Sequence, residues 1–342
     1  MNIDKFIDGI KDYLHNIYKA KEATLAYYDN FKEFILPLEK NISSKQFEDL
    51  LQKKIQFKSP SFNEKQFIQA ACETTVNSYF AKHFTNSFAY EKKVNPSSKK
   101  NIECQFQIGS FTYNIEVKCS DFELKEKIDN QDAFKFGTYG RIDEYKDTMK
   151  EIGNLMVEGQ KIKKENPKPL IELRKMDNNL KDFLISANQK FNPTPNENEV
   201  NILVVCCGDA NDMQNWHNYM FAQRGLFTKN SFCHQNKYLL VDLVVLSNIY
   251  HRHKFFDKVD LSDNWNLASA FNLVFSNRYR KLNKEKSIKF FLNIFPHYTD
   301  ELEKYEIPED NGSEFMRQVL KSIVGIPAFV KHNFTDKGKM IF

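Results

Sequence analysis

The segment NIECQFQIGSFTYNIEVKCSDF, residues 101–122, decides how this chain is read. It predicts two strands around a two-residue turn at Gly109-Ser110, and glycine first in such a loop suits a type II′ hairpin. That turn sets Ile108 against Phe111, Phe106 against Tyr113, Cys104 against Ile115 and Glu103 against Glu116. Strand alternation then sorts the side chains. Ile102, Cys104, Phe106, Ile108, Phe111, Tyr113, Ile115, Val117 and Cys119 share one face. Glu103, Gln105, Gln107, Thr112, Asn114, Glu116 and Lys118 share the other. A one-residue slip would invert this segregation, so the pattern itself specifies the register.

In that register two glutamates are opposed, with Cβ atoms roughly 5 Å apart. Facing like charges cost stability unless something neutralises them. A divalent cation does so, because Mg²⁺ takes one or two carboxylates plus water and phosphate oxygens. Lys118 points to the same face, placed to meet a phosphate oxygen or to orient an attacking water. Two acids and a lysine on one sheet face suit metal-assisted hydrolysis of a phosphodiester. The simpler reading is a solvated polar face on an amphipathic hairpin, with Lys118 partly relieving the acids.

Around the hairpin the chain alternates helices and strands. Ile3, Phe6, Ile7, Ile10, Leu14 and Ile17 keep helical spacing. Further helices are predicted over ATLAYYDNFKEFILPL, ending near Pro37, and over SKQFEDLLQKKI. Ser61 and Glu64 have capping-box spacing, which starts a helix carrying Ile68, Cys72, Val76, Tyr79 and His83 on one face and Glu73 at its edge. FAYEKKV reads as a strand. A charged loop with Gly137 and Gly140 follows the hairpin, then a helix from about Ile142, and another over PLIELRKMDNNLKDFLISANQKF. VNILVVCCGD and KYLLVDLVVLSNIY are continuous apolar runs, the pattern of buried central strands, with DMQNWHNYMFAQRGLF helical between them. The expectation is an α/β fold with a mixed sheet flanked by helices. It divides into a helical region 1–58, a core 59–250 and a mixed region 251–342.

This order resembles the PD-(D/E)xK, or restriction-endonuclease-like, nuclease superfamily. QAACETTVNSYF looks like its acid-bearing helix, NIECQF like the first acidic position and YNIEVKC like the (D/E)-x-K element. Glu103 stands where the family usually has Asp, and Ile102 where it has Pro. The resemblance spans about Ser61 to Cys119, and more loosely the strands near Val205 and Val241. It implies that Glu103 and Glu116 ligate Mg²⁺ or Mn²⁺ with the Val117 carbonyl. It implies that Lys118 positions water or stabilises the transition state, and that Glu73 holds a further water or ion. DNA is the implied substrate, in restriction or defence against foreign DNA. An ATPase, helicase or methyltransferase partner and a homo-oligomer are compatible with it. A nuclease-like fold without catalysis, serving binding or assembly, is the alternative.

Other features are less specific. The chain of 342 residues has 49 Lys and Arg against 45 Asp and Glu, so its net charge of +4 permits an anionic partner without demanding one. The stretch NRYRKLNKEKSIK offers Arg278, Arg280 and Lys281 to a phosphate backbone, or to solvent. Lys135, Tyr139 and Arg141 flank glycines and could touch substrate, or form an ordinary surface loop. Gly208-Asp209 ends a buried strand, where ligands often bind, though Asp as a helix N-cap is the better reading. Cys206-Cys207, Cys233-His234 and His251-x-His253 match no zinc spacing, and a thiol or zinc hydrolase built on them is a third reading. The six cysteines form no disulfide framework. With no apolar run of membrane-spanning length and no signal-like N-terminus, they predict a cytoplasmic protein with reduced thiols and no membrane partner.

Overall fold

The computed structural model describes residues 25–57, 59–136, 144–162, 168–173, 176–256, 263–308 and 313–334, with Asp8, Gly9 and Asp12. The expected first helix over Ile3–Ile17, and Gly137, Tyr139, Gly140 and Arg141, lie outside these residues. The sheet has six strands in the order β1 (Ala89–Tyr90), β2 (Cys104–Ile108), β3 (Phe111–Cys119), β6 (Glu199–Cys206), β7 (Leu243–Ser247) and β8 (Asn272–Ser276). The β3, β6 and β7 strands are parallel and the outer pairings antiparallel, so the sheet is mixed. A separate parallel pair joins β4 (Phe134–Phe136) to β5 (Leu170–Glu172).

The hairpin folds as its alternation requires. Ile108 pairs with Phe111, Phe106 with Tyr113 and Cys104 with Ile115. Gly109 takes φ of 57°, the left-handed backbone that a residue with a Cβ resists. The central strands β6 and β7 are buried along nearly their whole length, as continuous apolar runs should be.

Helices cover both faces. They are α1 (Leu25–Asn41), α2 (Ser44–Asp49), α3 (Glu64–His83), α4 (Glu123–Asp129), α5 (Tyr145–Ile162), α6 (Asp177–Lys190), α7 (Ala210–Phe221), α8 (Ile249–Lys254), α9 (Glu285–Ile294), α10 (Thr299–Lys304) and α11 (Glu314–Phe334). On the apolar face of the hairpin, Phe80 of α3 stacks on Phe106 at 4.6 Å, and Phe291 of α9 lies 5.5 Å from Tyr113. On the opposite face α6 delivers Lys190 to Glu116. Among the described residues no helix is long and apolar enough to cross a membrane. All six cysteines are free thiols.

Several local expectations change. Helix α1 runs through Pro37 instead of stopping there, because the fully buried Ile35 and Leu38 hold the following turn against the core. Helix α3 begins at Glu64, with the Asn63 side chain, not Ser61, accepting the Gln66 amide. The segment from Leu170 splits into β5 and α6 instead of forming one helix. Strand β8, beyond residue 250, pairs with β7 and joins the sheet.

The buried histidine of the HRHK segment is part of this packing. His253 is fully enclosed, with Nδ1 2.8 Å from the Tyr27 hydroxyl and Nε2 2.9 Å from Thr75 Oγ1. Burial, and then Arg252, pull its pKa down to about 3. Between pH 6.5 and 3 the unfolded chain therefore binds a proton that the folded chain refuses. This residue should remove stability at about 1.4 kcal/mol per pH unit as the pH falls through that window. Denaturant melts taken from pH 7 to 4 should show a shallower slope in His253→Gln than in the parent.

Candidate functional site

The β2–β3 ladder ends at Cys104 and Ile115, which leaves Glu116–Cys119 with no β2 partner. Glu103 sits just beyond the last pair. Its amide donates to the Ile115 carbonyl at 3.0 Å, so it is not in ladder register opposite Glu116 as the ideal hairpin predicts. The two carboxylates still share one end of the hairpin, and the Glu116 charge adds to the rise in the Glu103 pKa. Backbone groups on β3 point alternately to its two neighbours, and Ile115 faces β2. The Val117 carbonyl, two residues on, therefore faces the side that β2 has vacated.

That open edge is where other elements bring charge. Glu73 arrives on α3. Glu91 follows β1 with a positive φ of 47°, a strained conformation of the kind that clusters at functional sites. Lys54 ends a π-helical turn, Leu50–Lys54, a feature frequent at such sites. Its Nζ lies 3.2 Å from Glu73, 3.1 Å from Glu91 and 3.8 Å from Glu103. Gln56, also at positive φ, anchors this segment through two 2.8 Å hydrogen bonds with the Asn63 backbone. On the other side, Lys118 Nζ lies 2.7 Å and Lys190 Nζ 2.6 Å from Glu116 Oε1.

The electrostatics follow from burial and from these neighbours. Burial first, then Glu73, push the Glu103 carboxyl up to about 8, with Glu116 adding to the rise and Lys54 and Lys190 opposing it. Burial alone would lower the Lys54 and Lys118 ammoniums. The carboxylates outweigh it and raise both above the ordinary lysine value, Glu73 being the largest contributor at Lys54 and Glu116 at Lys118. Glu116 is fully buried. Among the described residues no hydrogen-bond donor reaches its Oε2. A buried carboxylate oxygen without a partner, beside a second proton-hungry carboxyl, suits a hard cation.

The structure thus brings Glu73, Glu103, Glu116, Val117 and Lys118 to one place. Gln105 does not join them. It donates to Asn114 Oδ1, and Asn114 donates to Glu199 and Asn201, so this part of the polar face is a buried side-chain network. The basic stretch is elsewhere too. Asn277 binds Asp242, which binds Asn201, whereas Lys118 is level with Val205 at the other end of β6. There Arg278 is exposed, Arg280 donates to the Asn277 carbonyl and Lys281 to the Pro193 carbonyl. Lys135 donates to the Asp129 carbonyl and is exposed. Lys54, Glu91 and Lys190 were not predicted as site residues. Lys53-Lys54 reads as a solvated helix face, and nothing local in the sequence links any of the three to the hairpin.

Asp209 is the N-cap expected of it, accepting the Asp212 amide at 2.9 Å. It borders a cleft of about 390 Å³ lined also by Lys125, Asp212, His251 and Lys254. A Cβ at Gly208 would stand 2.0 Å from Asp212 Oδ2, so a larger residue there would force the Asp212 carboxylate to move. Burial pushes the Asp212 carboxyl up to about 7, with Lys125 at 3.3 Å opposing the shift. Among the described residues, no cluster of possible metal ligands joins His234, His251 or His253 to Cys206 or Cys207. Cys206 instead meets Cys72 and Cys119, and hydrogen bonds from Cys119 and then Cys72 lower its thiol pKa to about 6. The chain matches no family model, no curated protein and no solved structure with which it was compared.

Proposed function

We propose that this protein is a Mg²⁺- or Mn²⁺-dependent nuclease with a restriction-endonuclease-like core, and that it hydrolyses phosphodiester bonds in DNA. The observation that carries the reading is the convergence of Glu73, Glu103, Glu116 and Lys118 at the open end of one hairpin. The mixed sheet with parallel β3 and β6 supports it. Glu116 Oε2, the Glu103 carboxylate and the Val117 carbonyl would hold the cation. When bound, the cation would supply Lewis acidity for in-line attack of water on phosphorus.

The remaining work belongs to the chain's own groups. Lys118 keeps its proton, because three carboxylates surround it electrostatically. It can orient the attacking water or meet charge on the phosphate oxygens. Lys190 pairs with Glu116 Oε1, so Oε2, which has no hydrogen-bond donor among the described residues, would be left to meet the cation. Glu103 would surrender its proton when a cation binds, since the incoming charge outweighs the burial that favours its neutral form. Glu73, 3.2 Å from Lys54 Nζ and the strongest charge acting on Glu103, can accept from a water. The test is incubation of plasmid and phage DNA with Mg²⁺, Mn²⁺ or EDTA. Cleavage with either ion and none with EDTA is expected. Binding without cleavage under every metal would overturn the reading.

One observation favours a second reading, a nuclease-like fold used for binding or assembly. The Lys54 ammonium already lies among three carboxylates and offsets part of their charge without a metal. Lys54→Met separates the two. If the site serves a cation, removing the competing charge should raise Mn²⁺ affinity about tenfold by isothermal titration calorimetry. If lysine is the permanent counter-charge, the variant should lose thermal stability and gain no cation binding.

A further inference from the structure

Three cysteines outside the proposed nuclease chemistry form a cluster of their own. Cys72 lies on α3, Cys119 ends β3 and Cys206 ends β6. The parallel register sets Cys119 directly beside Cys206, so both thiols rise from the same face of the sheet. Helix α3 packs on that face and brings Cys72 over them. The three Sγ atoms all lie within 4.8 Å of one another. Cys72 and Cys206 are fully buried, and Cys119 is partly exposed at the rim.

Metal–thiolate bonds are about 2.3 Å long, so three sulfurs around a trigonal ion stand about 4 Å apart. The observed cluster needs to contract by less than about 1 Å to reach that spacing. An all-sulfur donor set rejects hard ions such as Mg²⁺ and selects soft ones. We propose that Cys72, Cys119 and Cys206 form a trithiolate site for a thiophilic d¹⁰ cation, Zn²⁺ or Cu⁺. Binding replaces the thiol protons, which pass to solvent, and no oxidant or reductant is involved. The ion would cross-link α3, β3 and β6, and so brace Glu73, adjacent to Cys72, against Lys118, adjacent to Cys119. The proposal needs only the three sulfurs and stands whether or not the chain cleaves DNA.

The test uses the full chain, stripped of metal and kept reduced, titrated separately with Zn²⁺, Cu⁺ and the spectroscopic probe Cd²⁺. One ion per chain is expected by native mass spectrometry. The ultraviolet cadmium–thiolate absorption should reach its plateau at one equivalent. A hundredfold excess of ion over its dissociation constant should raise the melting temperature by about 4 °C. Cys119→Ser should weaken binding about 100-fold or more, because losing a ligand costs more than losing an outer-shell partner. Cys207→Ser and Cys233→Ser, outside the cluster, should bind as the parent does. X-ray absorption of the parent loaded with one equivalent of Zn²⁺ or Cu⁺ should report a sulfur-dominated coordination shell, a readout independent of any variant's folding. A nitrogen and oxygen shell, no plateau with any of the three ions, or unchanged affinity in Cys119→Ser would overturn the proposal.

Discussion

Lys118→Ala is expected to reduce Mg²⁺-dependent DNA cleavage by about 10²–10³-fold, the usual effect of removing one positioned donor from a charged transition state. The loss should fall on kcat more than on KM, because the lysine acts where charge develops. The variant should fold. Glu116 retains Lys190 at 2.6 Å, so removing Lys118 at 2.7 Å does not leave the buried carboxylate alone. Glu116→Gln should abolish cleavage as well, and it should weaken Mn²⁺ binding, which Lys118→Ala should leave nearly intact. That contrast separates a cation ligand from a group that acts on water or phosphate. Cleavage that persists in both variants would move the active site away from the hairpin.

The largest stability effect is expected from the basic stretch, not from the site. Lys284 and Asp242 are each almost completely buried, with Nζ 2.7 Å from Oδ2. The same Oδ2 accepts the Asn201 amide at 2.7 Å, which ties the pair to β6. Lys284→Met should cost about 3–5 kcal/mol in urea denaturation, because it strands a buried carboxylate. Burial already pushes the Asp242 carboxyl up to about 6, with Lys284 the main opposing influence. A carboxyl whose folded pKa lies above its unfolded value gives stability at low pH and loses it as the pH rises through the folded value. Without Lys284 that value rises further, so the variant's deficit should be greater at pH 8 than at pH 5. Adding Asp242→Asn to Lys284→Met should recover most of the loss, since the amide can still accept from Asn201 without carrying charge.

Lys284 also shows why a charge run is a poor guide to partners. In the sequence it is one of several cations in NRYRKLNKEKSIK, indistinguishable from its neighbours. In the fold it is a buried counter-ion at the end of the sheet away from Glu116. Hydropathy and charge counts carry no information about which lysine meets an aspartate forty residues away.

The hairpin, by contrast, was legible because its information is local. A strand repeats every two residues and the Gly109 turn fixes the pairing, so face segregation alone set Cys104 against Ile115 and put Glu116 and Lys118 on one side. The buried runs of β6 and β7 were legible for the same reason, and together they carried the α/β class. Only the tertiary structure decided who meets those acids. Lys54 reaches Glu103 across a π-helical turn, Lys190 reaches Glu116 from the end of α6, and Cys72 meets Cys206 through helix packing. These contacts join residues tens to more than a hundred positions apart. Burial of whole element faces brings such residues together, and no pattern at either partner records the meeting. The sequence by itself determined the register of the hairpin as far as the Cys104–Ile115 pair, and the residue types at its open end, but not the offset of Glu103 from Glu116. The packing of α3, α6 and the segment before α3 determined their charge balance and their burial.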